Sequence, residues 1–356
     1  MAKSSPSQLI GAARLTVEAV TGVTELVEAV HMNVLNKAIG TPAVRPVAGI
    51  TSLVYRSVKG VTRLVGGGLD AALGKLAPLA GDTDWRGRSA MLAALNGVLG
   101  DRLAAGRNAL AIPMVLKPRG PARPRIVVLV HGLCMNDEQW LRDGVDHGAT
   151  LAQERGYAPV YLHYNTGRHV STNGAEFARA LQAMVDGWPV QVEEIVIVGH
   201  SMGGLVARSA CHAGGKWLAL VRKMVFLGTP HHGAPLERGG NWINIVADLN
   251  AYSAPFARLA KLRSAGITDL RYGSVLDADW VGRDRFERSE APAVLPLPAK
   301  VRCYAVAGGS DALVPLASAL GEHLAFSPIN RAVIDGVGHM ELLDAPGVTE
   351  LLLAWL

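Results

Sequence analysis

From residue 125 onward, short mainly apolar runs alternate with longer mixed stretches. The runs are RIVVLVHG (125–132), APVYLHYN (158–165), EEIVIVGHS (193–201), KMVFLGTPHHG (223–233), KVRCYAVAGGSD (300–311) and NRAVIDGVGH (330–339). Each is rich in β-branched or aromatic residues and ends in glycine or a polar side chain. Continuous apolar runs of this length predict strands buried on both faces. Helical segments lie between most of them, which predicts an α/β fold: a mostly parallel sheet with helices on both faces. The polar residues gather at the carboxyl ends of the strands, where such sheets bind ligands.

The pattern before residue 116 is different. Ser5-Pro6 is a helix-start signal, and Val20, Val23, Val27, Val30 and Val34 follow at helical spacing. After Pro46, Val54, Val58, Val61 and Val65 form a second stripe, with Arg56, Lys59 and Arg63 roughly opposite. A third helical stretch covers 89–110. Two readings stay open for residues 1–115: a small bundle packed on the main domain, or helices docking on a membrane, lipid or polymer surface. KPRGPARPR (117–125) has no periodicity and reads as a linker, so a boundary is expected at 116–124 and a second domain at 125–356.

Composition narrows the class. Of 356 residues, 49% are apolar and 18% charged, enough for one large core plus an appendage. Cys134, Cys211 and Cys303 are too few and too far apart for a disulfide framework or a zinc site, and an odd number favours free thiols in a reducing compartment. The N-terminus does not read as a secretory signal, and no 18-residue uncharged apolar stretch predicts a membrane-spanning helix. A cytoplasmic protein is expected, with peripheral attachment to a membrane or granule if the helices dock; no nucleic-acid partner is expected, and the oligomeric state is left open. The net charge of +5 sits in residues 1–115, which hold twelve basic and seven acidic residues, while the remainder balances at 23 of each.

The sharpest chemistry lies in GHSMG (199–203), a G-x-S-x-G motif after a strand and before a helix. The small flanking residues let the chain turn sharply and present Ser201 at the tip, with the following helix N-terminus favouring developing negative charge. A serine hydroxyl needs a base held by a third group. Asp311 and His339 follow in the order serine, acid, histidine; Asp335 is the rival acid, on the same strand as His339. In HGLCMN (131–136), Gly132 permits close approach, and the amides of Leu133 and Met202 are the expected oxyanion donors. His131, Gly132, His200 and Cys134 are expected to line the substrate. His231 and His232 lack supporting carboxylates or cysteines, so no metal and no cofactor is expected.

VHGL, GHSMGG, GSDALVP and GHMEL, in that order, resemble the α/β-hydrolase superfamily. LGTPHHGAP (227–235) and YNTGRHVSTNG (164–174) narrow the resemblance to bacterial lipase-like proteins related to triacylglycerol lipases and GPI inositol-deacylases. The resemblance covers about 125–356 and implies hydrolysis of carboxylic esters through an acyl-serine. In hydrolases of this kind an insertion like 234–298 forms a cap, and its apolar content suggests an acyl substrate. The expectation is an esterase or lipase acting on an apolar ester. A thioesterase or polyester depolymerase with the same triad, or a non-catalytic lipid-surface scaffold, are the alternatives.

Overall fold

The computed structural model describes residues 88–234, 264–283 and 294–356. The valine stripes at 20–34 and 54–65, and residues 235–263 and 284–293 of the expected insertion, lie outside the described residues. The chain divides into two compact units, Met1–Arg88 with Gly106–Leu110, and Ser89–Ala105 with Ala111–Leu356. Little of the first is described; in it the Asn108 side chain accepts from the Leu110 amide at 2.9 Å.

The second unit holds the sheet. Helix α1 (Arg88–Ala105) joins it from residue 89, whereas the sequence drew the boundary at 116–124. Ala93, Ala94, Leu95, Val98, Leu99 and Leu103 are all buried. These positions go round the helix rather than marking one stripe, as in a helix enclosed by its surroundings. It ends five residues before the expected 110, ahead of a turn in which Arg107 has φ 49°.

Strands β1 (Val115–Pro118), β2 (Arg125–Val130), β3 (Ala158–His163), β4 (Glu194–His200), β5 (Val221–Leu227), β6 (Arg302–Gly308) and β7 (Arg331–Ile334) form one sheet, ordered β1-β3-β2-β4-β5-β6-β7. All pairings are parallel except β1 with β3. β1 falls partly in the stretch read as a linker. It is four residues long and ends in Pro118, which lacks an amide donor and suits an edge.

Alternation along the strands separates the two faces. Val127, Leu129, Val196, Val198, Val225 and Leu227 share a core with Leu151 of α2 (His147–Arg155) and with Val348 and Leu352 of α7 (Pro346–Trp355). Helix α2 starts where Asp146 accepts from the amides of Gly148 and Ala149, and stops at Gly156, whose φ of 72° favours glycine. Phe226 points the other way, towards α4 (Met202–Ala213): a Cβ on Gly204 would come within 2.8 Å of its ring. Helix α3 (Val170–Asp186) packs along α4, where Gly174 leaves room for Ser209. Helices α5 (Ala265–Tyr272) and α6 (Leu316–Ala319) complete the described set.

Candidate active site

The three residues picked from sequence come from the carboxyl ends of β4, β6 and β7. Ser201 sits between the last residue of β4 and the first of α4, with φ 52° and ψ −126°. A non-glycine residue held there is strained, and such strain is held only by surrounding structure. The Ser201 amide donates to the Leu227 carbonyl at 2.8 Å, and its carbonyl accepts from Gly204 at 3.1 Å. The flanking glycines are required by space. A Cβ on Gly199 would lie 2.7 Å from Gly204, and one on Gly203 would lie 2.1 Å from the Val130 carbonyl oxygen. The turn therefore presses against the end of β2 and exposes little but the serine, itself almost buried.

Asp311 lies in the turn after β6 and His339 in the loop after β7. His339 Nδ1 is 2.7 Å from Asp311 Oδ2, with both side chains nearly excluded from water. Asp311 Oδ1 also accepts from the amides of Leu313 and Val314, at 2.8 and 2.9 Å. Burial pushes its carboxyl up, but the bonds to His339 and the two amides outweigh this and hold it below the usual carboxylate range. The carboxylate partner of His339 is thus Asp311 and not the rival Asp335. With Nδ1–H given to Asp311, Nε2 is left as a proton acceptor. The Ser201 hydroxyl makes no hydrogen bond to this ring in the structure; in unliganded sites that contact is often loose and tightens on substrate binding.

Two neighbours bring the His339 loop to the serine turn. A Cβ on Gly228 (φ 57°), at the end of β5, would sit 3.1 Å from His339 Nδ1, so the ring packs on bare backbone. His200, next to Ser201, has its Nε2 3.1 Å from the His339 carbonyl and its ring 4.9 Å from the His339 ring. Donation to a carbonyl fixes the proton on Nε2. Burial lowers the His200 pKa to about 3, so the ring is neutral. His131 is likewise lowered to about 3, by burial, with Nδ1 3.0 Å from the Gly132 carbonyl.

The loop after β2 carries the expected donor. A Cβ on Gly132 would lie 3.0 Å from Ser201 Cβ, so this backbone runs directly over the serine. The neighbouring amides are engaged: Cys134 to Thr166 Oγ1 at 3.1 Å, Ser201 to Leu227, Gly204 to Ser201. The Leu133 and Met202 amides donate to no carbonyl or side chain among the described residues. Two unengaged amides, one following Gly132 and one following the buried serine in sequence, can stabilise an oxygen that gains negative charge.

His131, His200 and Cys134 were expected to line the substrate, but all three side chains are wholly buried. Their contacts are with the protein, and Cys134 is a small apolar wall residue whose thiol burial pushes up to about 12. His231 is buried with Nδ1 3.3 Å from Arg208, while His232 is exposed beside His323. Among the described residues no group of three or more His, Cys, Asp or Glu is disposed to hold a metal ion. Sequence reasoning did not assign Thr166 or Tyr164, although both lie in the quoted YNTG stretch; no local pattern says which backbone a side chain will meet across the sheet. The 264–283 part of the expected cap is fastened to the body: Asp269, buried, accepts from the Val170 amide at 2.7 Å and pairs with His169 at 3.0 Å, and Ser264 donates to the Gly97 carbonyl of α1 at 2.6 Å.

Residues 122–295 match the PGAP1-like alpha/beta domain family. That segment contains Ser201 and the Gly132 loop and stops before Asp311 and His339. Among solved structures, the mature Bacillus licheniformis lipase BlEst2 is similar at 18% identity and a TM-score of 0.44, over 67% of this chain and 98% of that one. The esterase RhEst1 from Rhodococcus sp. ECU1013 is similar at 17% and 0.43, over 69% and 96%. A thermophilic esterase from Thermogutta terrifontis is similar at 16% and 0.43, over 68% and 93%. No curated protein matches the chain. The chain has a mostly parallel seven-stranded α/β sheet, and its residues 122–295 are similar to the PGAP1-like alpha/beta domain family.

Proposed function

We propose that this protein is a serine hydrolase that cleaves carboxylic esters of apolar, acyl-bearing substrates through an acyl-enzyme. The observation that carries the reading is the convergence of a strained serine turn with a closed His339–Asp311 pair. In the proposed reaction Ser201 Oγ attacks the ester carbonyl carbon while its proton passes to His339 Nε2. Asp311 keeps Nδ1–H oriented and stabilises the imidazolium that forms. The carbonyl oxygen, now an oxyanion, is received by the Leu133 and Met202 amides. Collapse breaks the bond to the alcohol, which leaves with the proton from Nε2. Water repeats the sequence on the acyl-serine: His339 takes its proton, the acid is released, and Ser201 recovers its hydrogen.

Support for an acyl-bearing substrate comes from the apolar insertion at 234–298. Activity over p-nitrophenyl esters of increasing chain length, with acyl-CoA thioesters alongside, tests it: the reading expects ester turnover that strengthens beyond acetate. Turnover confined to thioesters would make the protein a thioesterase, and absence of both with a folded protein would sink the reading.

A second element is the location of that chemistry. Arg56, Lys59 and Arg63 oppose the Val54–Val58–Val61–Val65 stripe in sequence, a combination suited to anionic lipid headgroups over an apolar layer. These residues lie outside the described ones. Docking predicts co-sedimentation with anionic liposomes at low salt, weakened by added salt and by changing the three basic residues to Glu. Wild-type protein that stays in the supernatant would remove the docking element.

A further inference from the structure

The loop that carries the Leu133 amide is bent in a way its sequence does not favour. Cys134 has φ 60°, a left-handed conformation that costs a non-glycine residue about 1 kcal/mol or more. Something outside the loop must hold it. Two hydrogen bonds do, and both come from the segment after β3. The Tyr164 hydroxyl donates to the His131 carbonyl at 2.8 Å, and the Tyr164 ring stacks on the His131 ring with centroids 4.5 Å apart. Two residues further on, Thr166 Oγ1 accepts from the Cys134 amide at 3.1 Å. These fastenings bracket Gly132 and Leu133, the stretch that crosses Ser201.

The fastening segment is itself held. Asn165 Nδ2 donates to the Gly100 carbonyl of α1 at 2.9 Å, and the Asn173 side chain donates to the Asn165 carbonyl at 2.9 Å. A Cβ on Gly167 would come within 2.1 Å of the Asn96 carbonyl, and one on Gly97 within 2.2 Å of Cys134 Sγ. The loop is therefore enclosed between α1 and residues 164–167. Tyr164 and Thr166 are both wholly buried, so no water substitutes if their oxygens are removed.

We infer that Thr166 is a positioning residue for the oxyanion donor, acting through the Cys134 backbone to aim the Leu133 amide at the site above Ser201, with Tyr164 as the second fastening. The inference rests on the serine-hydrolase reading above. An oxyanion donor acts on the transition state more than on the bound ester, so the defect belongs in kcat rather than KM.

The test compares full-length wild type with Thr166→Val, Thr166→Ser and Tyr164→Phe. Valine keeps the shape of threonine and deletes the acceptor; serine restores it. Two readouts are taken: kcat and KM on p-nitrophenyl butyrate, and hydrogen–deuterium exchange of the peptide containing 131–136. In Thr166→Val, kcat is expected to fall about ten- to a hundredfold with KM within about twofold, since misplacing a catalytic group by an ångström costs on that order. Exchange in 131–136 should quicken, and Thr166→Ser should recover most of both. Tyr164→Phe should move the same way by less. An unchanged kcat in Thr166→Val, a loss that serine does not rescue, or unaltered exchange in 131–136 overturns the inference. Wild-type protein that turns over no ester defeats the hydrolase reading, and the oxyanion role with it, while the exchange arm still decides whether Thr166 fastens the loop.

Discussion

Lowering the pH from 7 to 5 should weaken this fold through two histidines that surround the serine. His131 and His200 are wholly buried, and burial lowers each pKa from the usual 6.5 to about 3. Protons therefore bind first to the unfolded chain. The contribution is nil above about pH 6.5, and stability falls as the pH drops from there towards 3. At pH 5, about 1.5 pH units below the unfolded pKa, protonation favours the unfolded form by about 2 kcal/mol per histidine, so about 4 kcal/mol for the pair. That is a large part of the 5–15 kcal/mol typical of a domain, roughly 8–16 °C in melting midpoint for one of this size. Burial also lowers His147 and His231, which adds in the same sense, and raises Asp269, which works against it. The assay is the thermal midpoint by circular dichroism between pH 7 and 5. Wild type is compared with His200→Gln, whose amide can still donate to the His339 carbonyl. The variant should lose about half of the acid sensitivity assigned to the pair. A midpoint that is flat across this range, or an identical slope in His200→Gln, would refute the claim that these rings are buried and neutral.

Replacing Asp311 with Asn keeps the shape but removes the charge that stabilises the imidazolium, so kcat should drop by about a thousandfold or more, with KM little changed; a greater loss in Asp335→Asn would reassign the acid. His339→Ala should be about as damaging as Ser201→Ala, because the two act as a unit, and steady-state rates decide it. Burial pushes the thiols of Cys134, Cys211 and Cys303 up to about 12, so iodoacetamide at pH 8 should alkylate none of the three natively and all of them in urea; rapid native labelling of Cys134 would contradict its place as a wall residue.

How much of this could be read from sequence follows from how local each signal is. The parallel strands were visible because burial on both faces leaves a continuous apolar run, as in 126–130 and 195–198. The serine turn was visible because its steric demands fall on immediate neighbours, Gly199 and Gly203. Strand β1 was hidden: an edge strand of four residues ending in Pro118 looks like its linker surroundings. Helix α1 was expected, but its membership of the sheet's unit was not. Its apolar residues go all round, and what encloses it cannot be told from periodicity alone. The same holds for His131, His200 and Cys134. Their types suggested contact with substrate, but burial is decided by residues far away in the chain, such as Tyr164 and His339. Thr166 is the extreme case. Its hydroxyl meets an amide 32 residues earlier, across a loop whose path only the fold defines.

The most direct test of the account is covalent labelling of the native protein with a fluorophosphonate probe, followed by peptide mapping, with Ser201→Ala as control. The account predicts a single adduct on Ser201, formed in step with loss of p-nitrophenyl ester turnover, and a folded, unlabelled, inactive variant. An adduct elsewhere, or ester turnover that survives in Ser201→Ala, would contradict it.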